Sequence, residues 1–204
     1  MEKTIKRNEG FSLIEMIIVL AIIAVVSTMS ILSIGIINTA KAKDAASVFD
    51  SEVASVHAKA KGMAVDLNND GSISDEELKY TYCIKLYKPA GKEDYYLCVG
   101  YCKTDSIDST FVSGTTANGG LGRNLSSYVK IKFNGNLADG STVSDHEPGD
   151  NANAVYIVFN KRGECVCGAG EFEFQKKNGN TVARKYIRAN GSRLLIFFLS
   201  LQCQ

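Results

Sequence analysis

Lys3-Thr4-Ile5-Lys6-Arg7-Asn8-Glu9-Gly10-Phe11-Ser12-Leu13-Ile14-Glu15-Met16 runs directly into an apolar segment that ends near Ile37. A short leader comes first, with three cations, Lys3, Lys6 and Arg7, against Glu2 and Glu9. From Met16 to Ile37 there is no charge, and the only polar side chains are Ser27, Thr28, Ser30 and Ser33. Such hydroxyls bond back to a carbonyl one turn earlier, so they are tolerated in an apolar helix. Roughly 20 residues at ~1.5 Å each match a ~30 Å hydrocarbon core, which predicts a membrane span. The cationic leader places the N-terminus on the cytoplasmic side. A secretory signal peptide would instead have a shorter apolar core with its cleavage site behind it. Here the glycine junction lies in front, so cutting at Gly10 retains the span. The anomaly is Glu15, a lone carboxylate at the head of an uncharged run, where an unpaired charge in hydrocarbon costs several kcal/mol.

Beyond Ile37 the pattern changes. Ala42, Ala45, Phe49, Val53, Val56 and Ala60 recur at spacings of three and four, which marks one face of an amphipathic helix. Lys41, Lys43, Asp44, Asp50, Glu52, Lys59 and Lys61 lie mostly off that face. The sequence therefore predicts one helix from Phe11 to about Lys61, ended near Gly62. His57 sits beside the stripe and reads as a partly buried packing residue.

The remainder is rich in Tyr, Val, Ile, Thr, Gly and Asn, which favours strands and turns. Expected strands are 80–88, 95–101, 127–133, 154–160 and 181–188, with 164–168 and 171–175 continuing the sheet. Pro89-Ala90-Gly91-Lys92 and Asn178-Gly179 are turn signals. Residues 134–153 read as loop. Leu194-Leu195-Ile196-Phe197-Phe198-Leu199 is too short to span a bilayer and reads as a terminal strand, a subunit contact or aggregation hazard if exposed. The fold class is α+β: a long N-terminal helix against a small antiparallel sheet. The organisation is leader 1–10, apolar helix 11–37, amphipathic half 38–61 and globular head 62–204. The 204 residues carry a net charge of +1, so nothing in the charge balance points to nucleic acid.

Gly10-Phe11-Ser12-Leu13-Ile14-Glu15, between a basic leader and a long apolar helix, resembles the processing motif of type IV prepilins and pseudopilins. The resemblance covers about the first 40 residues. It implies that a prepilin peptidase cuts between Gly10 and Phe11 and N-methylates the new Phe11 amine. It also implies that Glu15 pairs with the Phe11 amine of a neighbouring subunit; two charges desolvated together cost far less than either alone. It implies a pilin-like roll for the head and polymerisation into a helical homo-oligomeric filament. The chain would be a single-pass precursor in the inner (cytoplasmic) membrane before the pilus assembly machinery takes it to the cell surface. Function would then be adhesion, surface motility or aggregation, with a pseudopilin of type II secretion or DNA uptake as the alternative. Many family members carry a helix-kinking proline where this chain has Leu32, and Gly35 is the nearest soft point.

Asp66-Leu67-Asn68-Asn69-Asp70-Gly71-Ser72-Ile73-Ser74-Asp75-Glu76-Glu77 follows the oxygen spacing of a twelve-residue calcium loop. Asp66, Asn68 and Asp70 fall at the first, third and fifth places and Gly71 at the sixth. Ser72 offers its carbonyl, and Glu77 is the terminal carboxylate. The plainer reading is an Asn/Asp/Gly turn, since a helix should follow and strand-like sequence comes instead. Calcium in loop 66–77 is the only cofactor expected, and none is required. Six cysteines, Cys83, Cys98, Cys102, Cys165, Cys167 and Cys203, lie beyond the span and are disulfide candidates. Cys83 and Cys98 could face each other across a hairpin; the family resemblance implies Cys203 with Cys165 or Cys167. A zinc site from Cys98, Cys102, Cys165, Cys167 and His146, or free buried thiols, are the other readings. No nucleophile elbow, HExxH or phosphate loop is present, so no enzyme is expected.

Overall fold

The computed structural model describes residues 11–198, with the side chains of 29–34 outside that description. The leader, including Gly10, and the segment carrying Cys203 also lie outside the described residues. The chain divides into two compact units between Ile37 and Asn38. Helix α1 is Leu13–Gly62. In the first unit every described side chain from Phe11 to Thr28 is exposed. Ser27 Oγ donates to the Ile23 carbonyl at 2.7 Å and Thr28 Oγ1 to that of Val25 at 2.8 Å. Both hydroxyls thus bond back within the helix, as expected of an apolar setting.

The second unit is α+β. Its strands, in chain order, are β1 Tyr80–Tyr87, β2 Tyr96–Lys103, β3 Val112–Ser113, β4 Arg123–Asn124, β5 Val129–Asn136 and β6 Thr142–His146. There follow β7 Val155–Phe159, β8 Cys165–Cys167, β9 Gly170–Lys176, β10 Thr181–Ile187 and β11 Arg193–Phe197. They form two antiparallel sheets rather than the one that the sequence suggests. One runs β3-β2-β1-β7-β8 with β4 beside β2, and the other runs β11-β10-β9-β5-β6. The crossing between them falls at Gly168. Its φ is +79°, and a Cβ there would lie 2.3 Å from the Tyr156 carbonyl oxygen, so only glycine fits. Segment 164–168 therefore belongs to one sheet and 171–175 to the other. Within 134–153, read as loop, β6 pairs with β5. The Asn178-Gly179 turn joins β9 to β10, and the apolar tail forms edge strand β11, with Leu194, Ile196 and Phe197 exposed.

The whole predicted stripe of α1 is buried: Ala42, Ala45, Phe49, Val53, Val56 and Ala60, joined by Ala46. These residues share one apolar core with Ile84, Leu86 and Ile157 of the first sheet and Ile131, Phe133, Phe172 and Phe174 of the second. Phe49 is the hub, its ring centroid 4.8 Å from Phe172 and 5.4 Å from Phe174. Fully burying a side chain of this size contributes ~1.5–3 kcal/mol. A second apolar cluster covers the outer face of the first sheet: Cys83, Tyr87, Tyr96, Cys98, Cys102, Ile107, Tyr156, Val158 and Cys167. Ile107 comes from a one-turn helix, Ile107–Thr110, labelled α2.

Two polar contacts tie α1 to the sheets. Lys185 of β10 is 2% exposed and forms an ion pair with Asp50 of α1. Taking away the carboxylate would strand a buried ammonium. Asp50→Ala is therefore expected to lower stability by about 3 kcal/mol, while Asp50→Leu with Lys185→Met restores most of the loss. Chemical denaturation of the three proteins checks this. His57 stacks edge-on to Phe159 at 4.8 Å, and its Nε2 lies 3.0 Å from the Gly163 carbonyl oxygen. Burial lowers its pKa, with smaller pushes from Arg193 and Lys61, against a hydrogen bond that raises it. The unfolded chain then binds more protons than the folded one below the ordinary histidine pKa of ~6.5. His57's contribution should be complete above that pH and lost as pH falls through the lowered folded value. The melting temperature should fall across that window, and His57→Gln should flatten this part of the profile.

Candidate functional site

The N-terminal segment starts from Ser12. Its backbone N–H donates to Glu15 Oε2 at 2.9 Å, and its Oγ lies 3.4 Å from the Ile14 N–H. Glu15 thus makes the glutamate half of a capping box, while the Ser12 hydroxyl accepts from the second helical N–H rather than the third. Ser12-Leu13-Ile14-Glu15 carries the hydroxyl-to-glutamate spacing of that signature. The carboxylate also sits in the first turn, where the helix dipole favours negative charge. Glu15 thus has a local role in the single chain. Phe11 precedes the cap and is 84% exposed. Among the described residues no helix is long and apolar enough to cross a membrane. The stretch read as a span, Met16–Ile37, contains the six undescribed side chains at 29–34.

In the loop that follows α1, Asn69 and Gly71 both adopt left-handed backbone, with φ of 56° and 81°. Asp66 folds back on the turn: its Oδ1 accepts from the Asn69 N–H at 2.6 Å and its Oδ2 from the Gly71 N–H at 2.9 Å. Asp70 accepts from the N–H and hydroxyl of Ser72. Glu77 is 4% exposed. Its Oε1 accepts from the Leu67 N–H at 2.9 Å, and its Oε2 from the N–H and hydroxyl of Ser74 at 2.8 and 2.7 Å. Those bonds, led by Ser74, hold its pKa below the usual glutamate range. Among the described residues no group of three or more carboxylate, imidazole or thiol side chains is placed to hold a metal. Calcium capture by Glu77 would require it to exchange those three donors for the ion. Behind Glu77 comes a single 3-10 turn, Glu77–Lys79, and then β1, so no second α-helix flanks the loop. Glu77 acts as a tether between both ends of the loop. Glu77→Ala in a chelator-containing buffer is expected to open 66–76 to limited proteolysis while the β-sheet circular dichroism stays unchanged; equal cleavage rates would exclude the tether.

The five described cysteines carry free, buried thiols. Cys83 and Cys98 do not face each other. Cys83 lies opposite Gly100 and Cys98 opposite Lys85, because the β1–β2 register brings Tyr87 to Tyr96. Burial, with the neighbouring Cys102 thiol adding to it, pushes the Cys83 pKa well up. Burial also pushes Cys165 and Cys167 up to about 12. Cys165 belongs to the core with α1, whereas Cys98, Cys102 and Cys167 lie in the outer cluster. His146 lies on β6 of the other sheet, its Nε2 3.1 Å from the Asn153 carbonyl oxygen. The proposed zinc set is therefore not brought together.

Comparison with known proteins adds to this geometry. Residues 5–31 match the family model described as the prokaryotic N-terminal methylation motif. A similar solved structure is the minor pseudopilin EPSH from the type II secretion system of Vibrio cholerae. The likeness has 12% identity and a TM-score of 0.44, and it covers 78% of this chain and 95% of that one. No curated protein matches the sequence.

Proposed function

From an N-terminus that is type IV pilin-like, we propose that the chain is a structural subunit of a type IV pilus. It polymerises through its N-terminal helix into a cell-surface filament that serves adhesion, surface motility or aggregation. The observation that carries this reading is an exposed helical surface from Leu13 to Thr28 whose one charge among the described residues is Glu15 in the first turn and whose hydroxyls, Ser27 and Thr28, bond back into the helix. Such a surface is stable when covered by lipid or by like helices, since each exposed apolar side chain otherwise keeps its hydration cost. The precursor lies in the inner (cytoplasmic) membrane with residues 1–10 in the cytoplasm. The prepilin peptidase cuts at Gly10–Phe11 and methylates Phe11, and the span Met16–Ile37 then passes from lipid into a bundle of its own copies. Filament packing replaces lipid contact with helix contact at little hydrophobic cost, so a polar pair gives the specificity. Glu15 supplies one half of that pair and the Phe11 amine of a neighbouring copy supplies the other. A subunit slipped along the bundle leaves both charges unpaired.

The experiment is Glu15→Ala in the native host, with membrane level and sheared-filament yield measured together. Expected are normal insertion, normal processing and loss of most filament. Full filament yield would overturn the role given to Glu15. Immunogold labelling of the unaltered protein separates the two filament types. Long surface fibres uphold the pilus reading, and short fibres confined to the envelope replace it with a secretion pseudopilin.

A further inference from the structure

Lys85 is the unusual residue of the head. It sits in the middle of β1, its side chain lies in the outer layer of the first sheet, and it is only 9% exposed. Three rings surround its Nζ, with centroids at 5.1 Å (Tyr87), 5.2 Å (Phe111) and 5.4 Å (Tyr156). Among the described residues it has no ion-pair partner; its Nζ donates to Asn151 Oδ1 at 2.9 Å. Burial lowers its pKa, opposed mainly by the Asp108 carboxylate and by the thiols of Cys98 and Cys83. The free amine is therefore easier to reach here than on a surface lysine.

The partner amide is held by its own turn. Asn151 opens a 3-10 turn, Asn151–Asn153, closed by a 3.0 Å bond from the Asn153 N–H to the Asp150 carbonyl. That turn is tied to the end of β1 through the Lys88 N–H and the Gly149 carbonyl. Asn151, Asp108 and Tyr156 line one cleft of about 330 Å³. Tyr156 donates its hydroxyl proton to Asp108 Oδ1 at 2.6 Å, which holds the carboxylate in the cleft that Asn151 also lines. The amine and the carboxamide thus touch at the edge of an aromatic enclosure, with a carboxylate in the adjoining cleft. Water is largely excluded from the amine, and the two reacting groups are already in contact, which removes most of the entropic barrier to their reaction.

We propose that Lys85 and Asn151 form an intramolecular isopeptide bond. Rotation of the Asn151 side chain about its Cβ–Cγ bond presents Cγ to the neutral Lys85 nitrogen. The amine lone pair forms the new N–C bond, and a tetrahedral centre results. Asp108, which lines the same cleft as Asn151, relays the proton through water there from the attacking nitrogen to the departing amide nitrogen. The Cγ–Nδ2 bond then breaks and ammonia leaves. One amine and one carboxamide give one secondary amide and one ammonia, with no oxidant, reductant or external donor. The product ties the central strand of the first sheet to the turn ahead of β7, closing a covalent loop across 66 positions.

The full chain, extracted in detergent and shown to be folded by circular dichroism, is digested with trypsin under denaturing conditions and mapped by tandem mass spectrometry. Expected is one branched species that joins the Lys85 and Asn151 peptides, its mass their sum less one ammonia, with no cleavage after Lys85. Lys85→Arg and Asn151→Ala each remove the species. Asp108→Asn slows its appearance in a time course without shifting the melting temperature. Two separate, unmodified peptides from the folded wild-type chain overturn the proposal. So does a branched species that persists in Asn151→Ala, which would place the link elsewhere.

Discussion

Everything in the head depends on how closely two sheets approach a single helical stripe. Ala42, Ala45, Ala46 and Ala60 keep one face of α1 nearly flat, so strands from both sheets come within packing distance of the helix. Phe49, Val53 and Val56 fill the space left between them. A larger residue at any of the alanines would push the helix off both sheets at once, because overfilled cores cannot relax locally. The same crowding explains the buried ammonium of Lys185. Its aliphatic stem packs in the core while its charge reaches Asp50 at the helix edge, so the pair fixes the rotation of α1 about its own axis.

At the other end of α1 the governing physics is electrostatic. The orphan N–H groups of a helix start attract a carboxylate, and Glu15 answers them through the Ser12 backbone. A carboxylate that already has a local partner crosses into an apolar setting at lower cost than a bare one. In the filament proposed above, Glu15 exchanges this backbone donor for the ammonium of a neighbouring copy. The loop after the helix follows a similar economy. Glu77 satisfies backbone donors at both ends of the turn, so the oxygen pattern there is first a device for folding the connection.

Much of this was legible because it is local. The stripe of α1 follows from a spacing of three and four, and all six of its members are buried. The Pro89–Lys92 and Asn178–Gly179 turns follow from residue chemistry, and the terminal strand follows from its apolar run. The division into two sheets was not legible, since strand pairing joins segments distant in sequence and leaves no periodic mark on either. Cys83 and Cys98 show why. The connection between β1 and β2 runs from Lys88 to Tyr95, too long to dictate register, and a shift of one pair changes which residues face each other. Strand β6 was hidden because Thr142–His146 is polar and mostly exposed, with no alternation to betray it. Glu15's capping bond was legible in the spacing of Ser12 and Glu15, three places apart at the helix start.

The outer apolar cluster gives the head a second core with its own cover. The layer over Cys83, Cys98, Cys102 and Cys167 is supplied by Ile107, Phe111 and Leu121, within a segment whose regular structure is a one-turn helix, a 3-10 turn at Ala117–Gly120 and two-residue strands. Such a cover is held by few backbone bonds, while the helix-side core is held by two complete sheets. The two layers therefore differ in local stability, and the thin one opens first. The thiols of Cys83, Cys98, Cys102 and Cys167 are the buried groups that such a local opening would expose to solvent.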